Sequence, residues 1–558
     1  MLAAAALVAL TVAAYSPAFS AGFVWDDDDH VTANATLRDV EGLKRIWFDL
    51  GAVPQYYPLV HTTFWLEYRA WGLDPLGYHA VNLSLHALAA WLLGLALVRL
   101  RVPGAWLAAA LFAVHPVGVE SVAWVTERKN VLSAVFYFAA ALAYFRFAPP
   151  VAAALPARRG ERRSLAPSRG SRWWYALALG LFLAALLSKT VTASLPAALL
   201  LVYWWKKGTL TRADALPLAP WFVFGLLAGS LTAWLERHHV GAQGEEWALS
   251  WADATLVAGR AVWFYAGKLA WPSNLTFVYP RWTIDAGAWW QWLFPVAALA
   301  VVAALWRARG RVGRGPLAAV LFFIGTLTPA LGFFNVYPMR YSFVADHFQY
   351  LASVGVLVPM AAALARLRRR AAVPILLALA VLTWHQAHAY ESLDTLWRDT
   401  LEKNPAAWLA HNNLGMLRRD QGRTAEAETH YRAALELRPQ DADVNYNLAN
   451  LLASTGRVDE AIGHYRRSLQ SNPGLADAHN NLGAMLQGRG DLDAAVAHYR
   501  AALALEPARA DTHSNMGTAL LAMGRRAEAA AHFEEAVRLR PDHPRAGAQL
   551  RRLRAGWK

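Results

Sequence analysis

Four carboxylates in a row, Asp26-Asp27-Asp28-Asp29, follow the first apolar stretch and run into His30. Adjacent like charges raise one another's pKa values, which suits a general base or a cation site. Asp26 and Asp27, nearest the apolar stretch, are the candidate catalytic pair. A second cluster, His115-Pro116-Val117-Gly118-Val119-Glu120, brings a third candidate acid, Glu120. Glu127, Arg128 and Lys129 follow it, and their cations are suited to a phosphate. His79, Asn82 and His86 recur at i, i+3 and i+7, hence on one helix face, a stripe that a lipid-facing helix would not carry. Lys189, within Ser188-Lys189-Thr190, interrupts an apolar run and either snorkels or pairs with an anion. Arg340 and Asp346 close the set in a loop that ends at His347. The bland alternatives are a solvated acidic run, internally satisfied polar side chains and ordinary interfacial charge. Against them stands the cost of charge at a membrane boundary, which tends to reserve it for function.

Those residues are spaced by long apolar stretches. Hydrophobic types make up 56% of the 558 residues, with 26 Trp, and mean hydropathy is +0.22. An ordinary soluble globule is excluded. The net charge of +14 is topological, because Arg and Lys collect in short loops; nucleic acid is not an expected partner. With no Cys, disulfides, thiolate metal sites and Cys nucleophiles are excluded. The strongest basic loop, 146–172, holds seven arginines and should face the cytoplasm, while the acidic and aromatic loops 25–75, 115–129, 236–251 and 333–349 take the other side. Alternating the sides predicts an all-α polytopic membrane bundle of eleven spans over residues 1–390. The first helix is expected to be retained rather than cleaved, since residues 1–21 lack a basic leader. Segment 254–270, interrupted by Arg260, is read as re-entrant or interfacial.

Beyond it, Pro405, Pro439, Pro473, Pro507 and Pro541 stand 34 residues apart. Leu414, Leu448, Leu482 and Met516 share one register position; Gly415, Ala449, Gly483 and Gly517 share the next. Ala427, Ala461, Ala495 and Ala529 form a third column, and Tyr431, Tyr465, Tyr499 and Phe533 a fourth. This is the tetratricopeptide period, so residues 391–558 are predicted to form a helical solenoid: four full repeats over 406–541 with flanking helices. A degraded leading repeat is expected over 392–404. A polar column, Asn413, Asn447, Asn481 and Asn515, falls on the first helix of each repeat. Asn carries a donor and an acceptor, so the column either grips an extended polypeptide backbone or ties neighbouring helices together.

The order of motifs resembles a known family. Phe23-Val24-Trp25-Asp26-Asp27, Pro58-Leu59, Gly77-Tyr78-His79, the 115–128 loop, Ser188-Lys189-Thr190, the 268–275 segment, Ala345-Asp346 and Tyr350-Leu351-Ala352-Ser353 precede the repeats. Together these resemble the transmembrane-and-tetratricopeptide O-mannosyltransferases, of the GT-C fold. The resemblance implies transfer of a sugar, typically mannose, from a polyprenyl-phosphate donor to Ser or Thr. It implies Asp26 or Asp27 as base, Glu120 positioning the acceptor or a cation, and Lys189, Arg340, Asp346, Arg128 and His79 near donor phosphate or sugar. Relatives often carry Lys-Glu where this chain has Lys189-Thr190, and Ala-Glu-Arg where it has Ala345-Asp346-His347. The implied partners are the lipid donor, an acceptor polypeptide on the repeats and membrane lipid. Mg²⁺ or Mn²⁺ would suit an Asp-rich site. A non-catalytic membrane scaffold and a lipid-linked-sugar polymerase or transporter are the alternatives. The Ala- and Arg-rich composition points to a bacterial inner membrane, with the site and repeats on the periplasmic side.

That orientation has a direct test. Alkaline phosphatase fused after Gly556 is expected to be active, and a fusion within 157–169 inactive. The reverse pair of results would move the repeats to the cytosol.

Overall fold

The structure is a computed structural model and describes residues 2–150, 169–239, 249–334, 337–367 and 369–555. Most of the basic 146–172 loop, including Arg158, Arg159, Arg162 and Arg163, lies outside the described residues, as does 240–248 of the acidic 236–251 loop. Among the described residues every regular element is helical. The chain divides into two compact units, Met1–Pro405 and Ala406–Lys558. Helix Leu393–Lys403, expected as the remnant of a leading repeat, falls in the first unit.

The first unit holds α1 (Leu2–Ala14), α2 (Val40–Phe48), α3 (Pro58–Trp71), α4 (Pro75–Arg99), α5 (Ala105–Val114), α6 (Val119–Ala123), α7 (Arg128–Phe147), α8 (Arg169–Leu186) and α9 (Leu195–Lys207). After them come α10 (Arg212–Ala215), α11 (Ala219–His238), α12 (Trp251–Ala270), α13 (Leu293–Val312), α14 (Gly315–Leu327), α15 (Val354–Leu367), α16 (Ala372–His388) and α17 (Leu393–Lys403). Local chemistry sets several starts. Pro58 and Pro75 occupy first-turn positions where no N–H is needed, and the Asp74 side chain accepts from Leu76 N. Ser250 and Asp253 form a reciprocal capping box at α12. Helix α7 is the pillar of the unit: most of its side chains are buried, and it packs against α3, α4 and α8.

Among the described residues four helical stretches are by themselves long and apolar enough to cross a membrane, against the eleven spans expected: Pro75–Arg99, Val125–Phe147, Arg212–His238 and Trp289–Val312. Two bent pairs raise the number to six: α5 with Pro116–Ala123, bent by 56°, and α16 with α17, bent by 115°. Other apolar runs are broken by turns into shorter helices, among them Ala4–Ala14, Arg172–Leu186, Gly315–Ala330 and Val354–Arg366. Helix α1 stops after 13 residues, about 20 Å of rise against a hydrocarbon core of about 30 Å. Pro116 ends α5 because it cannot donate to the helix ladder. Segment 254–270 lies in an unbroken 20-residue helix, α12, with Arg260 stacked over the Trp282 ring at 4.5 Å. Helix α13 turns Leu293, Val296 and Leu299 outward. Such a flank suits lipid, not water.

The second unit pairs α18 (Trp408–Asp420) with α19 (Thr424–Leu437), α20 (Ala442–Ser454) with α21 (Val458–Ser471), α22 (Ala476–Gly488) with α23 (Leu492–Leu505) and α24 (Ala510–Ala522) with α25 (Arg526–Leu539). Helix α26 (Pro544–Ala555) follows. The small-residue column exists because the aromatic column occupies its space. A Cβ on Gly415, Gly483 or Gly517 would stand 2.6, 2.8 or 2.9 Å from the ring of Tyr431, Tyr499 or Phe533. The asparagine column ties repeats together. Asn447 Nδ2 donates to Asn412 Oδ1 at 3.0 Å, Asn481 Nδ2 to Asn450 Oδ1 at 3.1 Å, and Asn515 Nδ2 to Asn480 Oδ1 at 3.1 Å. Asn413 Nδ2 turns back to the Leu409 carbonyl at 2.8 Å.

Replacing Asn447 and Asn481 by Ala is therefore expected to lower the melting temperature of the full chain in detergent. Each lost tie is worth about 0.5–1.5 kcal/mol. An unchanged melting curve would leave the column no role between repeats.

Candidate functional site

The loop after α1 is shaped by one unusual residue. Trp25 has φ 52°, a left-handed conformation that a bulky residue adopts at a cost of about 1–3 kcal/mol. Its ring is held against Trp397, with centroids 5.1 Å apart, and against Phe277 at 6.1 Å. The turn sends the next two carboxylates to different fates. Asp27 is fully buried, and three donors saturate it: Val24 N at 2.8 Å, Thr126 N at 2.8 Å and Thr126 Oγ1 at 2.6 Å. Burial, outweighing the donors that favour the charged form, raises its carboxyl to about 7. Asp27 is thus a latch between the first loop and the start of α7.

Asp26 is the accessible one. Its side chain keeps 30% exposure, and Oδ2 stands 3.7 Å from His30 Nε2. Its Oδ1 is buried without a hydrogen-bond donor, because the nearby Thr126 hydroxyl gives its hydrogen to Asp27. Burial raises the Asp26 carboxyl to about 7; the Lys129 charge opposes this, and Asp27 and Glu127 add to it. Solvent at the exposed edge screens part of the effect. Asp28 and Asp29 are exposed, with Asp28 accepting from Thr32 Oγ1 at 2.7 Å.

Beside Asp26 lies a seam of buried charge. Glu127 receives Lys129 Nζ at 2.9 Å and Lys189 Nζ at 3.2 Å. One carboxylate thus serves two ammonium groups, leaving a net positive charge. Asn130 Nδ2 reaches Glu127 Oε2 at 2.6 Å, and Asn130 Oδ1 accepts from Lys189 at 2.8 Å. Burial lowers the Lys189 ammonium to about 8, with Glu127 opposing. The seam continues through His347. Glu120 accepts from His347 N at 2.9 Å and pairs with its Nδ1 at 2.9 Å, so both carboxylate oxygens are engaged. Asp346 accepts from Tyr279 OH at 2.9 Å; burial, then the Glu120 charge, raises its carboxyl.

Two expected donor contacts stand elsewhere. Arg128 is fully buried, and its guanidinium is occupied by Glu67, by Asn82 Oδ1 at 2.7 Å, by Tyr78 O at 2.8 Å and by Thr63 at 3.2 Å. It pins α3 and α4 to α7 and has no geometry left for a phosphate. His79 Nε2 meets the Gly22 carbonyl at 3.2 Å and so supports the loop before Trp25. The Asn82 and His86 positions of the same stripe are likewise engaged internally: Asn82 reaches Trp124 O at 3.2 Å, and His86 meets Tyr350 OH at 2.6 Å. Arg340 is half-buried beside Tyr341, whose ring contacts Trp25 at 6.4 Å. Among the described residues no three His, Asp or Glu side chains converge to hold a metal ion, and Asp27, Glu120, Glu127 and Asp346 already have donors.

Sequence reasoning missed Thr126, Asn130, Gln55 and Tyr279. Asn130 extends the Glu127-Arg128-Lys129 run into the first turn of an apolar helix, and that polar start was its visible signal. Gln55 accepts from Lys129 at 3.1 Å from a loop far away in sequence, which no local pattern reveals.

The two neighbouring carboxylates separate by experiment. Asp27→Asn or Thr126→Val strands buried polar groups, a loss of about 1–3 kcal/mol, and is expected to lower the melting temperature in detergent. Asp26→Asn is expected to leave it unchanged. Equal melting temperatures for all three variants would remove the latch.

Comparison with known proteins adds the following. Tetratricopeptide-repeat models match residues 394–442, 412–476 and 474–542. The protein O-mannosyl-transferase Tmtc1 of Drosophila melanogaster is 38% identical over 150 residues, 25% of this chain and 17% of that protein. TMTC3 of Mus musculus is 34% identical over 155 residues, 26% of this chain and 17% of that protein. The Caenorhabditis elegans O-mannosyl-transferase F38B6.6 is 30% identical over 154 residues, 25% and 22% respectively. The match thus spans less than a quarter of the length of these relatives. Among solved structures, MamA is 22% identical with TM-score 0.26, covering 27% of this chain and 90% of that one. The tetratricopeptide protein YrrB is 22% identical with TM-score 0.26, covering 32% and 88%. The C-terminal repeats are tetratricopeptide repeats, and the chain is similar to the transmembrane-and-tetratricopeptide family of protein O-mannosyl-transferases.

Proposed function

We propose that this chain is a membrane glycosyltransferase of the GT-C type that moves a sugar, mannose by the resemblance, from a polyprenyl phosphate to Ser or Thr of a polypeptide. The observation that carries the reading is Asp26. It is a partly exposed carboxylate with a raised pKa and one oxygen lacking a donor, beside two lysines that share one acid.

In this reading the acceptor hydroxyl attacks the anomeric carbon while Asp26 takes its proton. The bond from the anomeric carbon to the phosphate oxygen breaks, and the lipid phosphate leaves with the electron pair. Lys129 and Lys189 face the developing charge, and the seam supplies them already desolvated and positioned. Arg340 lies near this end through the Tyr341–Trp25 contact and is assigned to the donor. Glu120 and Asp346 orient His347 and Tyr279 rather than substrate. The repeats hold the acceptor polypeptide; in this reading the asparagine carbonyls of the column receive its N–H groups while the amides keep the repeats in register. The site and the repeats face the periplasm of a bacterial inner membrane.

The test is transfer of labelled mannose from polyprenyl-phosphate mannose to a Ser/Thr peptide in membranes. Asp26→Asn is expected to slow transfer by about 10²–10⁴-fold. Lys189→Met is expected to slow it with little change in peptide KM. The base must be ionised, so the wild-type rate falls as pH drops through about 7. Undiminished turnover by the Asp26 variant sinks the assignment. No transfer by the wild type with any lipid-linked sugar leaves a scaffold.

A further inference from the structure

Each repeat brings two residues 19 positions apart face to face across its helix hairpin. In three repeats both are histidine. His411 meets His430, His479 meets His498 and His513 meets His532, Nδ1 to Nδ1, at 3.2, 3.0 and 2.9 Å. In the remaining repeat Asn445 Oδ1 meets His464 Nδ1 at 2.9 Å. The Asn445 pair shows that hairpin packing needs only a hydrogen-bond acceptor here. Histidine supplies that and more: a second ring whose nitrogen lone pair can be turned to the same point.

The tautomers of two pairs are set by their surroundings. His479 Nε2 lies 3.2 Å from the Pro473 carbonyl, and His513 Nε2 lies 3.1 Å from the Pro507 carbonyl. A carbonyl only accepts, so each Nε2 carries the hydrogen and each Nδ1 presents a lone pair. Anchoring one ring nitrogen on a backbone carbonyl is the usual support of a metal-binding imidazole. On His498 and His532 the hydrogen need only move from Nδ1 to Nε2 for both lone pairs to face each other. Two imidazole nitrogens on one ion, each at about 2.0–2.1 Å, stand roughly 2.9–3.4 Å apart between square-planar and tetrahedral angles. The three observed separations fall within that range, and the rings are half-buried, within reach of solvent.

We infer that the three histidine pairs are two-ligand sites for a late first-row divalent cation such as Zn²⁺ or Cu²⁺, one ion per pair. Imidazole is a ligand these ions favour over Mg²⁺ or Ca²⁺. Among the described residues no third His, Cys, Asp or Glu joins a pair, so water or an incoming ligand completes each shell. The inference is independent of the glycosyltransferase reading, since it concerns only the repeats.

The test uses the full chain in detergent, purified with a tag that contains no histidine, stripped with chelator and dialysed against Zn²⁺. Bound metal is counted by mass spectrometry. The triple variant His411→Asn, His479→Asn, His513→Asn copies the natural Asn445 arrangement and keeps every acceptor. It is expected to bind three fewer ions per chain and, in chelator, to melt as the wild type does. Asn445→His is expected to gain one ion, a result that stands even where the triple variant fails to fold. Equal zinc in wild type and triple variant, or no gain on Asn445→His, overturns the sites and leaves the pairs as hydrogen bonds alone.

Discussion

Ionised groups taken out of water cost several kcal/mol each unless donors or opposite charges meet them, and the body of this protein is arranged around that need. Asp27 is met by Thr126 and the Val24 amide, which fixes the first loop to the start of α7. Arg128, two residues on, is met by Glu67 and by acceptors on α4, which fixes α3 and α4 to the same helix end. Glu127 between them collects Lys129 and Lys189. Three consecutive residues, 126 to 128, thus point into three separate partnerships. The first turn of α7 is where the loops of the body are joined.

Meeting the charges in this way leaves one carboxylate over. The left-handed Trp25 sets Asp27 inward and Asp26 at the edge. A base has to exchange protons with a bound hydroxyl, which a carboxylate with three donors does poorly and one with an open oxygen does well. The division of labour between neighbouring identical residues is set by the backbone turn, and the cost of that turn is borne by the aromatic contacts of the Trp25 ring.

Much of this was legible in the sequence, and for physical reasons. The 34-residue period survives because Gly415, Gly483 and Gly517 must make room for an aromatic ring. The polar clusters stood out because charge is rare amid apolar helices. What sequence could not tell was who meets whom. Asp26 and Asp27 read alike, since a turn at Trp25 leaves no mark in composition. Arg128 looked like a phosphate ligand because its partners, Glu67 and Asn82, lie about fifty residues away. Hydropathy alone does not tell which apolar helices meet lipid, because it reports burial as readily as lipid contact: α7 is apolar and largely buried, while α13 is apolar and largely exposed. The asparagine column was ambiguous in principle, as an amide can satisfy either a neighbouring repeat or a bound chain.

Two departures from the pattern that the sequence resemblance implies lie close together. That pattern has Lys-Glu where Lys189-Thr190 stands, and Ala-Glu-Arg where Ala345-Asp346-His347 stands. The first change removes an acid; the second replaces a permanent cation by an imidazole. The two places meet at one side chain. Asn130 accepts from Lys189 through Oδ1 at 2.8 Å and donates through Nδ2 to the His347 carbonyl at 3.1 Å. Thr190 instead bonds Thr232 at 3.0 Å, and His347 takes both oxygens of Glu120. Losing the acid alone would leave the two lysines with excess positive charge; losing the arginine alone would leave Glu120 without a counterpart. Made together, the changes keep the charge of the seam nearly constant. In a medium where an unmatched charge is expensive, such substitutions are expected to occur as a pair.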